Sequence, residues 1–159
     1  MLEKEVKIGD EIAIKPGPKS LEYRGQYLPV TDLVFMVYGA GVVPIVDQVK
    51  SVLPKSSSTS VRSVSVVWVN EDPSSFDLAF SQLEREFYKY STKLEVSCCV
   101  EDVKSANTLA GFDDIEQSVP NFAPGTMAVI SGPMYFASLA YDYLQSRQFP
   151  DDCICSLPP

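Results

Sequence analysis

The sequence predicts an α/β fold in which about five parallel strands form one sheet with helices on both faces. Three observations predict this fold. Apolar runs of strand length recur along the chain, segments with apolar residues at helical spacing follow them, and glycine or proline stands at the turns between. Strands that alternate with helices form βαβ units with right-handed crossovers, and a series of such units builds a doubly wound sheet.

The first unit starts with the apolar run from Leu33 to Val37, which is typical of a strand buried on both faces of a sheet. Gly39 and Gly41 follow it and indicate a tight turn. Pro44 suits the first position of a helix, because the N–H group that proline lacks has no partner there. Apolar residues continue at helical spacing, so we expect a helix that begins at Pro44.

The same pattern recurs through the rest of the chain. We expect strands at 64–70, 94–100 and 126–131, helices at 76–90, 113–118 and 134–147, and a fifth strand at 153–157. Together they predict a Rossmann-like domain over residues 31–159. Ligands of such sheets lie beyond the carboxyl ends of the strands, near the point where the strand order reverses.

Residues 1–30 differ from this pattern. Short extended pieces are separated by turn signals at Gly9-Asp10, Gly17-Pro18 and Gly25. These pieces are too short to bury a core of their own. We therefore expect a boundary at residue 30, with a short β segment in front of the domain.

Composition argues against several classes of function. The 159 residues carry a formal net charge of −8 and include no histidine. Nonspecific binding to nucleic acid depends on clustered Lys and Arg, so nucleic acid is a poor candidate partner. Without histidine the chain cannot supply a Ser-His or Cys-His nucleophile pair or a His-ligated metal site, and we expect no metal.

The sequence also bears on location. No apolar run approaches the roughly 20 residues of a membrane-spanning helix, and the polar start at Met1 has no secretion-signal core. The four cysteines form neither a CxxC pair nor a zinc spacing, which favours reduced thiols. We expect an intracellular, cytoplasmic protein without a membrane span, and any membrane association would depend on a missing N-terminal region.

The turn after the first strand is the first candidate binding element. Its candidate residues are Gly39, Ala40, Gly41, Val42 and Pro44. Glycines there let backbone N–H groups approach an anion, and the helix end adds partial positive charge, which suits a diphosphate. The GxGxxP pattern alone is equally compatible with a tight turn that binds no ligand.

Polar residues follow the second and third strands. Asn70 and Glu71 end the second strand, and Glu101 ends the third. A carboxylate in such a position can accept a hydrogen bond from an adenosine ribose hydroxyl and repels an additional phosphate. As a set these residues favour NADH over NADPH, although each acid taken singly is also typical of a solvated loop.

The fourth strand ends in Ser131, Gly132, Pro133 and Met134, which open the next helix. By themselves these residues fit a structural strand-to-helix turn as well as a ligand site. A serine nucleophile is a poor interpretation, because no histidine is available and the G-x-S-x-G context is absent.

Taken in order, these motifs resemble one known family. GxGxxP, then Asn with acids, then an acid, then Gly-Pro-x-Met is similar to the nucleotide domain of cytochrome b5 reductases and their ferredoxin-NADP reductase relatives. The resemblance covers about residues 31–157. The stretch from Lys7 to Asp10, followed by Gly17-Pro18 and Tyr23, looks like the last strands of the flavin domain in that family. Gly111-Phe112 looks like a Gly-Phe pair found there before strand four.

The resemblance implies the NAD(P)H-binding module of a flavin-dependent reductase. Hydride would pass from NADH to FAD, and electrons would continue to a haem or iron-sulfur acceptor. It implies that Gly39, Gly41 and Pro44 shape the diphosphate turn, that Glu101 favours NADH, and that residues 131–134 border the nicotinamide. FAD is expected only if a flavin domain is supplied, because the family's flavin-stacking Arg-x-Tyr-Ser motif is missing in front of Gly9.

Several residues depart from the family pattern. Members usually carry Gly where this chain has Tyr38, Thr at Ala40 and Val43, and Cys at Ser131, so no residue has a certain catalytic role. Dinucleotide binding is compatible with these changes, whereas hydride transfer is open to impairment. Three alternatives follow: a fragment of a longer reductase, a chain whose partner supplies the flavin barrel, or a degenerate binding or regulatory subunit that has lost it.

Overall fold

The computed structural model describes residues 20–23, 26–54 and 61–157, and a five-stranded parallel sheet lies at the centre of this part of the chain. In chain order the strands are β1 (Ser20–Tyr23), β2 (Gln26–Pro29), β3 (Asp32–Tyr38), β4 (Ser63–Asn70), β5 (Leu94–Val100), β6 (Thr126–Ser131) and β7 (Ile154–Ser156). The helices are α1 (Val42–Val52), α2 (Phe80–Lys89), α3 (Asp113–Ser118) and α4 (Met134–Ser146). None of these described helices is long and apolar enough to cross a membrane.

The strand order determines where a crevice forms. The sheet runs β5-β4-β3-β6-β7, so the chain builds outward from β3 on one side and then on the other. Asp32 of β3 stands opposite Ser63 of β4 and Thr126 of β6, and all these pairings are parallel. The order therefore reverses between β3 and β6, whose carboxyl ends are Tyr38 and Ser131. A ligand crevice is expected at such a reversal.

Helices cover both faces of the sheet, which confirms the predicted doubly wound α/β fold. Successive strand residues point to opposite faces, so each strand contributes to two hydrophobic cores. One core lies under α1 and α2, and the other lies under α3 and α4. Central residues are Phe35, Trp68, Ile45 and Leu83 in the first core and Met36, Val67, Ile115 and Phe136 in the second.

Two helix boundaries differ from the prediction. Helix α1 begins at Val42, so Pro44 lies within its first turn, where backbone N–H groups still lack partners. The helix expected at 76–90 begins only at Phe80, because Pro73–Leu78 form a 3-10 turn instead. The carboxylate of Asp72 starts that turn by accepting a hydrogen bond from the Ser74 N–H at 2.8 Å.

The described part of residues 1–30 is an antiparallel pair. Strands β1 and β2 pair with Ser20 opposite Pro29, in agreement with the hairpin-like pieces that the sequence indicates. The turns expected at Gly9-Asp10, Gly17-Pro18 and Gly25 lie outside the described residues. The boundary at residue 30 therefore stays a prediction.

All four cysteines are free thiols. Cys99 and Cys153 are buried, and burial raises the pKa of each thiol to about 11. Both thiols are therefore protonated at neutral pH and are poor nucleophiles. Cys153 belongs to a 3-10 turn at Asp151–Cys153 rather than to β7, which is shorter than the strand predicted at 153–157.

The described residues contain no group of three His, Cys, Asp or Glu side chains that could hold a metal ion.

Asp32 connects the amino ends of β3 and β4. Its carboxylate accepts hydrogen bonds from the hydroxyls of Ser63 at 2.5 Å and Thr31 at 2.6 Å, and Arg62 lies 3.3 Å away. Partial burial raises the pKa of Asp32, but these hydrogen bonds and the Arg62 charge together lower it below its usual 3.8. The stabilisation is therefore present above the unfolded-state pKa and is lost as the pH falls through the folded-state pKa.

We expect Asp32→Asn to lower the free energy of unfolding by about 1 kcal/mol at neutral pH, because the hydroxyl donors lose a charged acceptor. The loss should shrink at acid pH, as the pH falls through the lowered pKa of the native Asp32 carboxyl and that carboxyl is protonated as well. Urea denaturation at both pH values measures the difference. Asp47→Asn is the matched control, since Asp47 is 85% exposed and its contact with Lys50 is 3.8 Å long. An equal loss for Asp32→Asn at both pH values would contradict this account.

Candidate functional site

The turn after β3 and the turn after β6 touch each other. The Ser131 hydroxyl donates a hydrogen bond to the Gly41 carbonyl oxygen at 2.8 Å. A Cβ atom at Gly41 would stand 2.6 Å from the Ser131 carbonyl oxygen, closer than real Cβ contacts allow. Glycine at this position thus permits the contact between two turns that lie 90 residues apart in the chain.

A 3-10 turn shapes the connection from β3 to α1. It spans Gly39–Gly41, and Gly39 has a φ of +57°, in the left-handed region that favours glycine. The indole Nε1–H of Trp68 donates a hydrogen bond to the Gly39 carbonyl at 3.0 Å, which anchors the turn to the core. The N–H of Val42 donates to carbonyls of the same turn, and the Val42 side chain is buried. Val42 therefore supports the turn from within.

A cleft of about 500 Å³ opens above the two turns. Its volume lies in the range of small-molecule sites. The cleft is lined by Tyr38, Gly39, Ala40, Gly41, Pro44, Ser131, Gly132 and Pro133. The structure thus brings together the predicted site residues at the carboxyl ends of β3 and β6. Neither Lys nor Arg is among these lining residues, so they offer an anion in the cleft only uncharged donors, such as backbone N–H groups.

Asn70 supplies an unsatisfied polar group beside the cleft. Its side chain is 3% exposed, and within the described part of the chain its Nδ2 atom has no hydrogen-bond partner. Its Oδ1 atom lies 3.9 Å from the place where a Cβ at Gly39 would stand. A buried amide without a partner costs about 1–3 kcal/mol. An amide donor without a partner beside the cleft fits a ligand that carries phosphate or ribose oxygens.

The predicted acids at the strand ends have different surroundings. The Tyr38 hydroxyl donates a hydrogen bond to Glu71, and Lys104 forms an ion pair with the same carboxylate at 3.0 Å. These two donors lower the pKa of Glu71, and that carboxylate in turn raises the pKa of Lys104. The Glu101 backbone N–H donates to the Asn70 backbone carbonyl at 2.8 Å, so the chain at Glu101 lies beside the carboxyl end of β4.

Gly132 and Met134, two predicted site residues that follow β6, differ in their positions relative to the cleft. A Cβ at Gly132 would stand 3.0 Å from the Tyr38 Cβ, so the turn fits closely under Tyr38. Met134 is 77% exposed as the first residue of α4 and is not among the residues that line the cleft. The Ser131 hydroxyl donates its hydrogen bond to the Gly41 carbonyl.

Sequence reasoning missed three participants. Tyr38 was a departure from a family pattern, yet it forms one wall of the cleft. Lys104 follows β5 in a loop without any motif, and the sequence around Trp68 predicts only a core residue of β4. A bulky aromatic residue directly before GxGxxP was the one signal in the sequence, because it stands at the carboxyl end of a strand.

Comparisons with known proteins agree with this architecture. No protein-family model matches the chain, and no relative is found among curated protein sequences. The cytochrome b5 reductase domain of Ulva prolifera nitrate reductase matches with a TM-score of 0.68 and 18% identity, over 89% of this chain and 54% of that one. The CS-b5R domains of human Ncb5or, in an NAD+ form, match with a TM-score of 0.64 and 20% identity, over 81% and 37%.

A third solved structure extends the comparison. Flavohemoglobin from Malassezia yamatoensis, with bound FAD and heme, matches with a TM-score of 0.56 and 19% identity, over 80% of this chain and 31% of that one. The fold that the sequence resemblance implies is therefore confirmed. The chain spans about half, or less, of the length of these three structures.

Proposed function

We propose that this chain is the NAD(P)H-binding module of a flavin-dependent reductase of the cytochrome b5 reductase kind. One observation carries the proposal: the Gly41 and Ser131 turns meet at the reversal of strand order and form a cleft beside the orphaned amide of Asn70. Dinucleotides bind at this point of doubly wound sheets, with the diphosphate at the first strand-to-helix turn. The matches to cytochrome b5 reductase domains support the same choice.

The residues divide into three groups in this proposal. The Gly39–Gly41 turn holds the diphosphate, and Pro44 helps to shape that turn. The Asn70 amide donates to a phosphate or ribose oxygen. Ser131, Gly132 and Pro133 border the nicotinamide, with Met134 at the rim. When bound, the dinucleotide supplies the hydride, and the chain positions it.

Coenzyme preference is assigned to the acids, with NADH favoured over NADPH. Lys104 offsets the charge of Glu71, so the carboxylate of Glu101 supplies most of the repulsion toward a ribose phosphate. We expect Glu101→Ala to reduce the ratio of the NADPH and NADH dissociation constants about three- to tenfold. Calorimetric titration with both coenzymes measures this ratio, and Glu95→Ala, near the amino end of β5, is the control. An unchanged ratio in Glu101→Ala would remove Glu101 from the site.

The remaining components lie outside the domain. We propose that residues 1–30 are the last strands of a flavin barrel and residues 31–159 the nucleotide domain. FAD then belongs to a flavin domain in a longer chain or partner, and electrons pass on to a haem or iron-sulfur acceptor. Flavohemoglobin, with its bound FAD and heme, is a structural precedent for such a combination. A cytoplasmic location belongs to the same proposal, in line with the free thiols.

Titration with NADH and NADPH tests the proposal. A ligand at about a hundred times its dissociation constant stabilises the folded state by about 2.7 kcal/mol, which raises the melting temperature by several degrees. Trp68, the single tryptophan of the chain, is bonded to the Gly39 turn and should report binding by fluorescence. If millimolar concentrations of both coenzymes change neither signal, the proposal is wrong.

A second candidate is a degenerate binding or regulatory subunit. Tyr38 is bonded to Glu71 and Ser131 to Gly41, at positions where the family usually carries Gly and Cys. Such a subunit would bind dinucleotide without hydride transfer. Combining the chain with a complete flavin domain and assaying electron transfer from NADH to ferricyanide separates the two candidates. Robust turnover rules out the degenerate subunit.

A further inference from the structure

The cleft ends at Tyr38, short of the acids at the neighbouring strand ends. Tyr38 is among its lining residues, whereas Glu71 and Glu101 are not. The Tyr38 hydroxyl donates a hydrogen bond to Glu71, so it stands between the cleft and that carboxylate. A ligand that extends from the Gly39–Gly41 turn toward β4 therefore meets the Tyr38 hydroxyl before it meets Glu71.

Contacts at both ends of the side chain hold Tyr38 in place. Its ring lies 5.7 Å from the Tyr135 ring and 5.2 Å from the Phe136 ring, measured between centroids. At the other end of the side chain, Lys104 holds the Glu71 carboxylate from the far side at 3.0 Å. Tyr38, Glu71 and Lys104 thus form a continuous chain of contacts across the carboxyl edge of the sheet.

The phenol remains a hydrogen-bond donor under physiological conditions. Burial and the Glu71 carboxylate both raise the pKa of Tyr38 above its usual 10.0. Glu71 stays ionised, because its two donors lower its pKa. The carboxylate is therefore occupied by a neutral hydroxyl donor, and a ribose hydroxyl is a group of the same chemistry.

We propose that Tyr38 is a specificity-determining residue whose hydroxyl takes the place of a ligand ribose hydroxyl at Glu71. This inference rests on the proposed function. A nucleotide with an adenosine half must displace the Tyr38 hydroxyl to reach Glu71 and exchanges one hydroxyl donor for another. A mononucleotide that ends at the diphosphate turn leaves the Tyr38–Glu71 bond intact. The hydroxyl thus reduces the contribution of the adenosine half to affinity.

The test compares NADH with reduced nicotinamide mononucleotide in the natural chain and in Tyr38→Phe. The variant keeps the ring and its packing against the rings of Tyr135 and Phe136. It frees Glu71 and also removes the hydroxyl contact with Tyr135. We expect NADH to bind about three- to tenfold more tightly to Tyr38→Phe, the range for one exposed hydrogen bond, and the mononucleotide to change less than about twofold. Tyr141→Phe is the matched control, because Tyr141 also contacts a carboxylate, Asp151, and is not among the cleft residues.

A second measurement uses the natural chain alone. Nuclear magnetic resonance of the Tyr38 ring should show a shift of its hydroxyl-bearing carbon when NADH binds and none when the mononucleotide binds. NADH binding with no such shift, or with equal affinity in Tyr38→Phe, would overturn the assignment of Tyr38 and leave the proposed function in place. If neither the natural chain nor any variant binds either nucleotide, both the assignment of Tyr38 and the proposed function are wrong.

Discussion

Gly41→Ala is expected to weaken NADH binding at least about tenfold and to lower the free energy of unfolding by about 1–3 kcal/mol. The added Cβ would stand 2.6 Å from the Ser131 carbonyl oxygen and 2.8 Å from its carbon, and backbone atoms cannot move aside as a flexible side chain can. The two turns must separate, so the hydrogen bond from Ser131 to Gly41 is lost with the shape of the cleft. Calorimetric titration and urea denaturation measure the two effects.

Gly111→Ala is the control that separates the effect of this steric clash from the backbone strain of alanine at a positive φ. Gly111 has a φ of +93°, so alanine is strained there, but its Cβ meets no atom within 4 Å. We expect Gly111→Ala to lose stability through backbone strain and to bind NADH normally. If Gly41→Ala binds NADH as the natural chain does, the contact between the turns is not needed for binding.

Trp68→Ala is expected to lower the free energy of unfolding by about 3–5 kcal/mol, the largest stability effect predicted for this chain. Trp68 is fully buried, its ring lies 5.0 Å from that of Phe76, and its indole N–H holds the Gly39 carbonyl. The substitution therefore leaves a cavity beneath the turn and removes the indole hydrogen bond, so that the Gly39 carbonyl keeps only its contact with the Val42 N–H. Thermal unfolding followed by circular dichroism measures the loss.

Trp68→Phe divides this effect into its two parts. Phenylalanine keeps most of the packing against Phe76 but has no N–H for Gly39. We expect about 1–2 kcal/mol of destabilisation, together with weaker NADH binding by calorimetry, because the Gly39 turn loses its anchor. A variant that is stable and binds normally would show that the Trp68 hydrogen bond does not position the turn.

Much of the fold follows from local patterns. The predicted bounds of β5, α3 and β6 coincide with those observed, because apolar periodicity and flanking turn residues define them locally. The helix expected at 76–90 was predicted less well. Its amphipathic spacing extends back to Phe76, but Asp72 and Pro73 favour a 3-10 turn that periodicity does not reveal.

Part of the candidate site could likewise be predicted from the sequence, and part of it could not. The strand-end rule for doubly wound sheets places Gly39, Gly41 and Ser131 together, and the structure brings them into contact. The Tyr38–Glu71–Lys104 contacts depend on loops that meet only in three dimensions, so spacing in the sequence carries no signal for them. The exposure of Met134 depends on the direction in which α4 starts, which the Gly-Pro-x-Met motif leaves open.

Backbone amide spectra recorded during a titration with NADH test the central claim most directly. Binding at the proposed cleft predicts that the largest, saturable shifts occur at the amides of Gly39, Ala40, Gly41 and Gly132. A second groove, lined by Phe80, Phe87 and Tyr88 among others, serves as the internal comparison. Shifts centred on that groove, or no shift at residues 39–41 at millimolar NADH, would contradict the assignment of a dinucleotide to the Gly41–Ser131 junction.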